Sequence, residues 1–268
     1  MTDTTSPTDG WDASIRIGVV VPHADVGPEA ELQAIAPASV SVHASRIHFA
    51  AMRAGGEMDE KIPHAPVRAF VEPPYLDQAV ELLAASPLHA LTLGFTSSSY
   101  VLKAEGEREL YERLRPVTRD LPITGTTKAA RAAFDALGAR RIAVVNPPWF
   151  DDELSGQGAD YFREFGFEVV HHGPCGLPSD QKAITPGNLS AWIRTIAEHR
   201  PDAVLVAGNG IRAVGTIKPL EAELGFHVVT ANQVILWHAL HLAGAADTAL
   251  GISDYGHLFG TSPKSEDA

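Results

Sequence analysis

Short β-branched runs separated by longer segments of helical periodicity recur from one end of this chain to the other. A strand that rejoins its neighbour in parallel needs a crossover, and a helix is the usual one, so this order of parts encodes parallel sheets covered by helices. Strands are expected at Ile15–Val21, Val67–Phe70, Ala90–Leu93, Pro122–Thr124, Ile142–Val145, Glu168–Val170, Ala203–Val206 and His227–Thr230. Several lack polar alternation, as strands covered on both faces do. Helices are expected at Val26–Ala36, Arg46–Ala54, Leu76–Ala84, Gly106–Leu114, Thr127–Leu137, Leu154–Phe165, Thr185–Glu198, Arg212–Leu224 and Gln233–Ala243. The best defined is Thr127–Leu137: Ala130, Ala133, Phe134 and Leu137 share one stripe, Thr126 or Thr127 can cap the start, and Gly138 can take a left-handed exit.

The order of parts repeats. Strand Ala90–Leu93 runs into the polar turn Gly94–Ser99, a helix follows, and strand Pro122–Thr124 leads into the helix from Thr127; strand Ala203–Val206, turn Gly208–Gly210, strand His227–Thr230 and the helix from Gln233 follow the same plan. The 268 residues exceed a usual single core, and two units of roughly 100–130 residues are the natural partition. The expected fold is α/β, with two pseudosymmetric lobes, each a mostly parallel four-stranded sheet flanked by helices, and a ligand cleft between them. Residues 14–125 plus 231–262 are assigned to the first lobe and 126–230 to the second, with tails at 1–13 and 263–268.

Charge and cysteine usage exclude several classes. A net charge of −12, with no basic run interleaved with aromatics, argues against nucleic acid as a partner. No apolar run reaches the ~20 residues of a membrane span, and the polar N-terminus lacks the apolar stretch of a secretory signal. Cys175 is the only cysteine, so no intrachain disulfide is possible, which fits a reducing, cytoplasmic setting. A homo-oligomer is compatible with such lobes but is not specified.

In open parallel sheets ligands bind beyond the carboxyl ends of strands, so the turns there are searched first. Four are unusually polar or strained: Pro22-His23-Ala24-Asp25, Gly94-Phe95-Thr96-Ser97-Ser98-Ser99, Asn146-Pro147-Pro148-Trp149 and Gly208-Asn209-Gly210. Hydroxyls and free N–H groups at Thr96, Ser97 and Ser98 would converge on one spot suited to carboxylate oxygens, with plain helix capping as the alternative. Gly208 and Gly210 let backbone approach a ligand closely. Their spacing is wrong for a dinucleotide loop, and Gly260–Ser265 lacks the following helix of a Walker loop. His171, His172 and Cys175 lack a second ligand pair, so no metal and no cofactor are expected. Asp151 and Asp152 read as the start of the next helix, and His199, His238 and His241 as packing or surface residues.

These turns, with the segment Thr124–Arg141 ending in Ala-Leu-Gly-Ala-Arg-Arg, the Asp151-Asp152 pair and strand Asp202–Ala207, resemble the family of maleate cis-trans isomerase and arylmalonate decarboxylase, within the aspartate/glutamate racemase superfamily. The resemblance spreads over roughly Ile15 to Ala243. It implies a small carboxylate held between two lobes by hydroxyls and N–H groups, without cofactor. By position, Thr96 and Ser97 match the hydroxyl pair, Asn209 and Gly210 the second turn, Trp149 stands near a family tyrosine, and Asp25 near a polar residue of the first turn. Relatives use one or two cysteines in the two turns, where this chain has Phe95 and Gly208.

The expected substrate-binding set is therefore Phe95, Thr96, Ser97, Ser98, Asn146, Trp149, Gly208, Asn209 and Gly210, with Asp25 or His23 carrying the proton. Chemistry without a thiol would be a decarboxylation or retro-aldol cleavage through an enediolate-like intermediate held by these donors. The alternatives are an isomerase with altered chemistry and a non-catalytic protein that binds a small carboxylate.

Overall fold

The computed structural model describes residues 10–264. The expected tails at 1–13 and 263–268 thus fall mostly outside the described residues; within the first, Ala13 is already buried.

The strands are β1 (Ile15–Pro22), β2 (Val40–Ile47), β3 (Ala90–Leu93), β4 (Ile123–Gly125), β5 (Arg141–Asn146), β6 (Glu168–Pro174), β7 (Ala203–Val206) and β8 (His227–Thr230). They form two four-stranded sheets, ordered β2-β1-β3-β4 and β6-β5-β7-β8, and every pairing is parallel. The helices are α1 (Gly27–Ile35), α2 (His64–Ala69), α3 (Tyr75–Ala84), α4 (Ser97–Leu114), α5 (Thr126–Leu137), α6 (Asp152–Glu164), α7 (Pro186–Thr195), α8 (Ile217–Leu224), α9 (Ala231–Leu242) and α10 (Ala246–Leu250). The architecture is the expected α/β pair of parallel sheets flanked by helices. Strands β3 and β7 are buried along their whole length, which is why their sequences run apolar without alternation.

Three sequence expectations are corrected. Val67–Phe70 is helix and not strand: it belongs to α2 and its C-terminal residue, where Val67 and Phe70 lie one turn apart and both are buried. Arg46–Ala54 is not a helix, because Arg46 and Ile47 end β2 and a loop follows. The strand β2 itself was unforeseen; it is an edge strand whose residues are mostly half-exposed, and Ser, His and Arg interrupt its apolar pattern. The helix expected at Arg212–Leu224 begins later, at Ile217, after a short 3-10 turn at Val214–Thr216.

Local chemistry sets the helix ends around the clefts. Gly138 closes α5 with φ 71°, the left-handed exit expected of it. Asp151 caps α6, accepting from the Leu154 N–H at 2.7 Å. Thr126 and Thr127 do not cap α5, however, since the residue before it is Gly125 and both hydroxyls are used elsewhere. Helix α4 reaches back to Ser97 but breaks at Lys103 (φ 59°), so the expected Gly106–Leu114 is its second half. Helix α9, entered from β8, packs on α5 and on β3, β4 and β1 of the other sheet.

Candidate functional site

Strand orders β2-β1-β3-β4 and β6-β5-β7-β8 place each sheet's crossover reversal between its two central strands, the position where α/β sheets bind ligands. The turns after β1, β3, β5 and β7 leave from those four central strands. They converge: Asp25, Phe95, Thr96, Ser97, Trp149, Gly208, Asn209 and Gly210 all line one cavity of about 50 Å³. A single water needs roughly 10–15 Å³ on the same kind of measure, so the space suits a small molecule.

The two lobes are tied here by buried hydrogen bonds. The Thr96 hydroxyl donates to Asn209 Oδ1 at 2.9 Å and accepts the Gly208 N–H at 3.2 Å. Thr126 donates to the same Oδ1 at 3.0 Å. Asn209 Nδ2 donates to Asn232 Oδ1 at 2.9 Å, and Asn232 Nδ2 donates in turn to Glu31 Oε2 at 2.8 Å and to the Asn209 carbonyl at 2.9 Å. Glu31 Oε1 accepts the Ala213 and Val214 N–H groups at 2.6 and 2.9 Å. Every amide in this chain of contacts has its orientation set by an acceptor-only carboxyl oxygen at one end and two hydroxyl donors at the other. Thr96 and Asn209 therefore position the two turns. Ser97, also on the cavity wall and buried, is the hydroxyl left to face a ligand. Beside it, the first turn of α4 contributes N–H groups that have no partner within their own helix.

Asp25 is the titratable group on the wall. Its Oδ1 accepts the Gly27 N–H at 2.9 Å, and Arg46 Nη1 donates to its carbonyl oxygen at 2.8 Å. Burial pushes its pKa above the ordinary carboxylate value, against the opposing pull of the Gly27 N–H, the Gln181 amide and the Arg46 charge. Glu31 is likewise raised by burial, and the nearby Asp25 charge raises it further, over the opposing Asn232, Val214 and Ala213 donors. Burial thus favours the protonated form of both carboxyls, Asp25 on the cavity wall and Glu31 in the network that holds Asn232.

The remaining wall is apolar. Phe95 meets Phe70 edge-on with centroids 4.9 Å apart, and Phe49, Met52, Met58 and Ile62 come from the loop after β2. That loop is fastened to the turn after β5: Ile62 N–H donates to the Trp149 carbonyl at 2.9 Å, Lys61 Nζ to the Pro148 and Phe150 carbonyls at 2.7 and 2.8 Å, and His64 meets Asp151 at 3.0 Å. Gln181 closes the floor against Gly210, where a Cβ would collide with its Nε2. None of Phe49, Met52, Met58, Ile62, Gln181, Glu31 or Asn232 was singled out from sequence. Glu31 carried the one available signal, a charged residue beside the apolar Leu32 of a helix.

Three expected site residues lie elsewhere. Ser98 donates to the Val67 carbonyl at 2.8 Å and so anchors α2. Asn146 is fully buried behind the wall, its Oδ1 accepting from Tyr100 at 3.2 Å, with Nδ2 left without a partner among the described residues. His23 does not border the cavity. Its Nδ1 accepts the Phe49 N–H at 3.2 Å, its ring stacks on His48, and burial, His48 and Arg46 lower its pKa. It borders a wider groove of about 980 Å³ on the other side of Gln181 and Gly210.

A model of the arylmalonate decarboxylase family matches residues 17–259, which spans both sheets and all four turns. The chain belongs to the arylmalonate decarboxylase family. Among curated relatives it is 26% identical over 236 residues to a maleate isomerase of Pseudomonas putida, covering 81% of this chain and 86% of the relative. It is also 26% identical over 171 residues to an arylmalonate decarboxylase of Bordetella bronchiseptica, covering 62% of this chain and 69% of that one. Both relatives carry the names of enzymes, an isomerase and a decarboxylase. Its fold is that of the maleate isomerase of Pseudomonas putida S16 crystallised with maleate: TM-score 0.77 at 22% identity, with 93% of this chain and 98% of that chain covered.

Within this family member, the two turn positions assigned to cysteine by the resemblance are Phe95 and Gly208, both on the cavity wall. Gly208 has φ 86°, and a Cβ there would run into the Pro147 ring. No side chain is accommodated at that position without moving the turn. Cys175, the chain's one cysteine, is buried beyond β6, does not line the cavity, and has its thiol pushed up to about 11 by burial. Among the described residues no helix is long and apolar enough to cross a membrane.

Proposed function

We propose that the chain is a cofactor-independent, cysteine-independent lyase of the decarboxylase type acting on a small carboxylic acid bearing a second carboxyl on the same carbon. The observation that carries this reading is a buried acid, Asp25, lining the same small cavity as Ser97 and the apolar Phe95 and Trp149, with no cysteine among the lining residues.

One substrate carboxylate binds Ser97 Oγ and the N–H groups of the first turn of α4 and of Asn209 and Gly210. The second carboxylate faces Phe95, Trp149 and the methionines, where desolvation favours its loss as neutral carbon dioxide. The bonding electrons pass into the retained carboxyl group as an enediolate, whose extra charge the same donors stabilise. Asp25 then gives its proton to the α-carbon and regains one from water, so that a dicarboxylate and one proton become a monocarboxylate and carbon dioxide. An isomerase with altered chemistry would draw on the same donors and the same acid.

The test is turnover of a panel of malonates, maleate and hydroxy acids in D2O, followed by NMR. The reading expects carbon dioxide release from a malonate with one deuterium at the α-carbon of the product, abolished in Asp25→Asn. Conversion of maleate alone would favour the isomerase. A saturable thermal shift without product from any substrate would favour a protein that only binds a carboxylate.

A further inference from the structure

At the N-terminal end of the edge strand β8, with no residue on the cavity wall, Glu221 of α8, His227 at the start of β8 and His257 in the C-terminal 3-10 turn bring one carboxylate and two imidazoles together. One ligand atom from each lies within 4.8 Å of the others. The geometry points to a binding site for a transition-metal dication of the zinc class, formed by Glu221, His227 and His257.

The carboxylate is prepared for it. Glu221 is 3% exposed, yet its oxygens are aimed at the two rings, with His227 Nδ1 at 3.7 Å and His257 Nδ1 at 2.9 Å. Each oxygen already takes one backbone N–H, Oε1 from Val228 at 3.1 Å and Oε2 from His257 at 2.9 Å. Those bonds fix the carboxylate plane and leave one lone pair per oxygen for a further partner, the outer-shell arrangement that orients metal ligands. The rings stand nearly perpendicular, 78° apart with centroids at 5.6 Å, and are 33% and 68% exposed, so solvent can supply the remaining ligands.

The backbone is shaped to deliver His257. Gly256 has φ 82°, and a Cβ there would lie 2.5 Å from Ile217 and 2.6 Å from Glu221, so this close approach needs glycine. The segment is also held from the other side, where Gln233 Nε2 donates to the Tyr255 carbonyl at 2.6 Å and the Tyr255 hydroxyl to the Ala34 carbonyl at 2.8 Å. Two imidazoles and one carboxylate suit Zn2+ or Ni2+; Mg2+ and Ca2+ prefer all-oxygen sets. A bound ion would clamp the C-terminal segment onto α8 and β8.

The test is calorimetric titration of the tag-free, chelator-treated full chain with Zn2+ at pH 7.5. One ion per chain is expected, with binding weakened about tenfold or more in His227→Ala and in His257→Ala, both of which leave the buried carboxylate in place. At Zn2+ about a hundredfold above the native Kd the melting temperature should rise by roughly 5 °C in the native chain and by about half of that or less in His257→Ala. Absence of saturable one-to-one uptake, uptake by either variant as tight as that of the native chain, or equally strong uptake of Mg2+ or Ca2+ would overturn the assignment.

Discussion

Replacing Thr96 by valine keeps the shape of the side chain and removes its hydroxyl, which isolates what holds the two cavity-lining turns in register. The hydroxyl makes two buried contacts, donating to Asn209 Oδ1 at 2.9 Å and accepting the Gly208 N–H at 3.2 Å. Asn209 Oδ1 keeps Thr126 as a donor, so that loss alone is a net hydrogen bond of about 1 kcal/mol. The buried Gly208 N–H has no substitute acceptor in the network, and an orphaned donor costs roughly 1–3 kcal/mol. Thr96→Val should therefore destabilise by about 2–4 kcal/mol. Thr126→Val removes one donor from an acceptor that still has another and should cost about 1 kcal/mol. The double variant leaves Asn209 Oδ1 with neither, so it should cost more than the sum of the singles by at least about 0.5 kcal/mol. Urea unfolding of the four proteins measures this cycle. A Thr96→Val cost under about 0.5 kcal/mol, or strict additivity, would refute the claim that the network organises the site.

Other outcomes follow from the same geometry. Ser97→Ala should lower kcat by about a hundredfold or more with the fold intact, since it removes one donor to the developing negative charge; steady-state kinetics with a matched melting curve checks this. Because Asp25 must hold a proton to donate it, turnover should be full below its raised pKa and fall as pH rises through it, and a pH–rate profile should show that limb above the ordinary carboxylate range. Placing a thiol in the second turn by Gly208→Cys should destabilise the chain, as φ 86° and the Pro147 ring leave no room for a Cβ, and thermal unfolding reads the loss. Phe95→Cys should cost about 3–5 kcal/mol in urea unfolding by opening a void against Phe70.

Seven of the eight strands were legible: β1, β3, β5, β7 and β8 carry the apolar runs of covered strands, and β4 and the first half of β6 were also read, though β6 runs on to Pro174. Edge strand β2 was not, because exposure lets Ser41, His43, Ser45 and Arg46 into it. Val67 and Phe70 misread as strand since a short apolar run has no period of its own, and its helical placement is decided by packing against α4. The turns that form the cavity could be located, because topology places function at the ends of central strands. What each polar residue does there could not. Thr126 looked like a helix cap and is a donor to Asn209 from the other end of the chain, 83 residues away. Ser98 and Asn146 looked like ligand contacts and serve the scaffold. Glu31, Gln181 and Asn232 belong to no motif, and only the folded chain brings them together.

A crystal structure of the native chain with a bound malonate tests the central claim most directly. The account predicts one carboxylate within hydrogen-bond distance of Ser97 Oγ, the other against Phe95 and Trp149, and the α-carbon in reach of an Asp25 oxygen. A malonate seated in the wider groove beside His23, or one whose α-carbon is screened from Asp25, would contradict it.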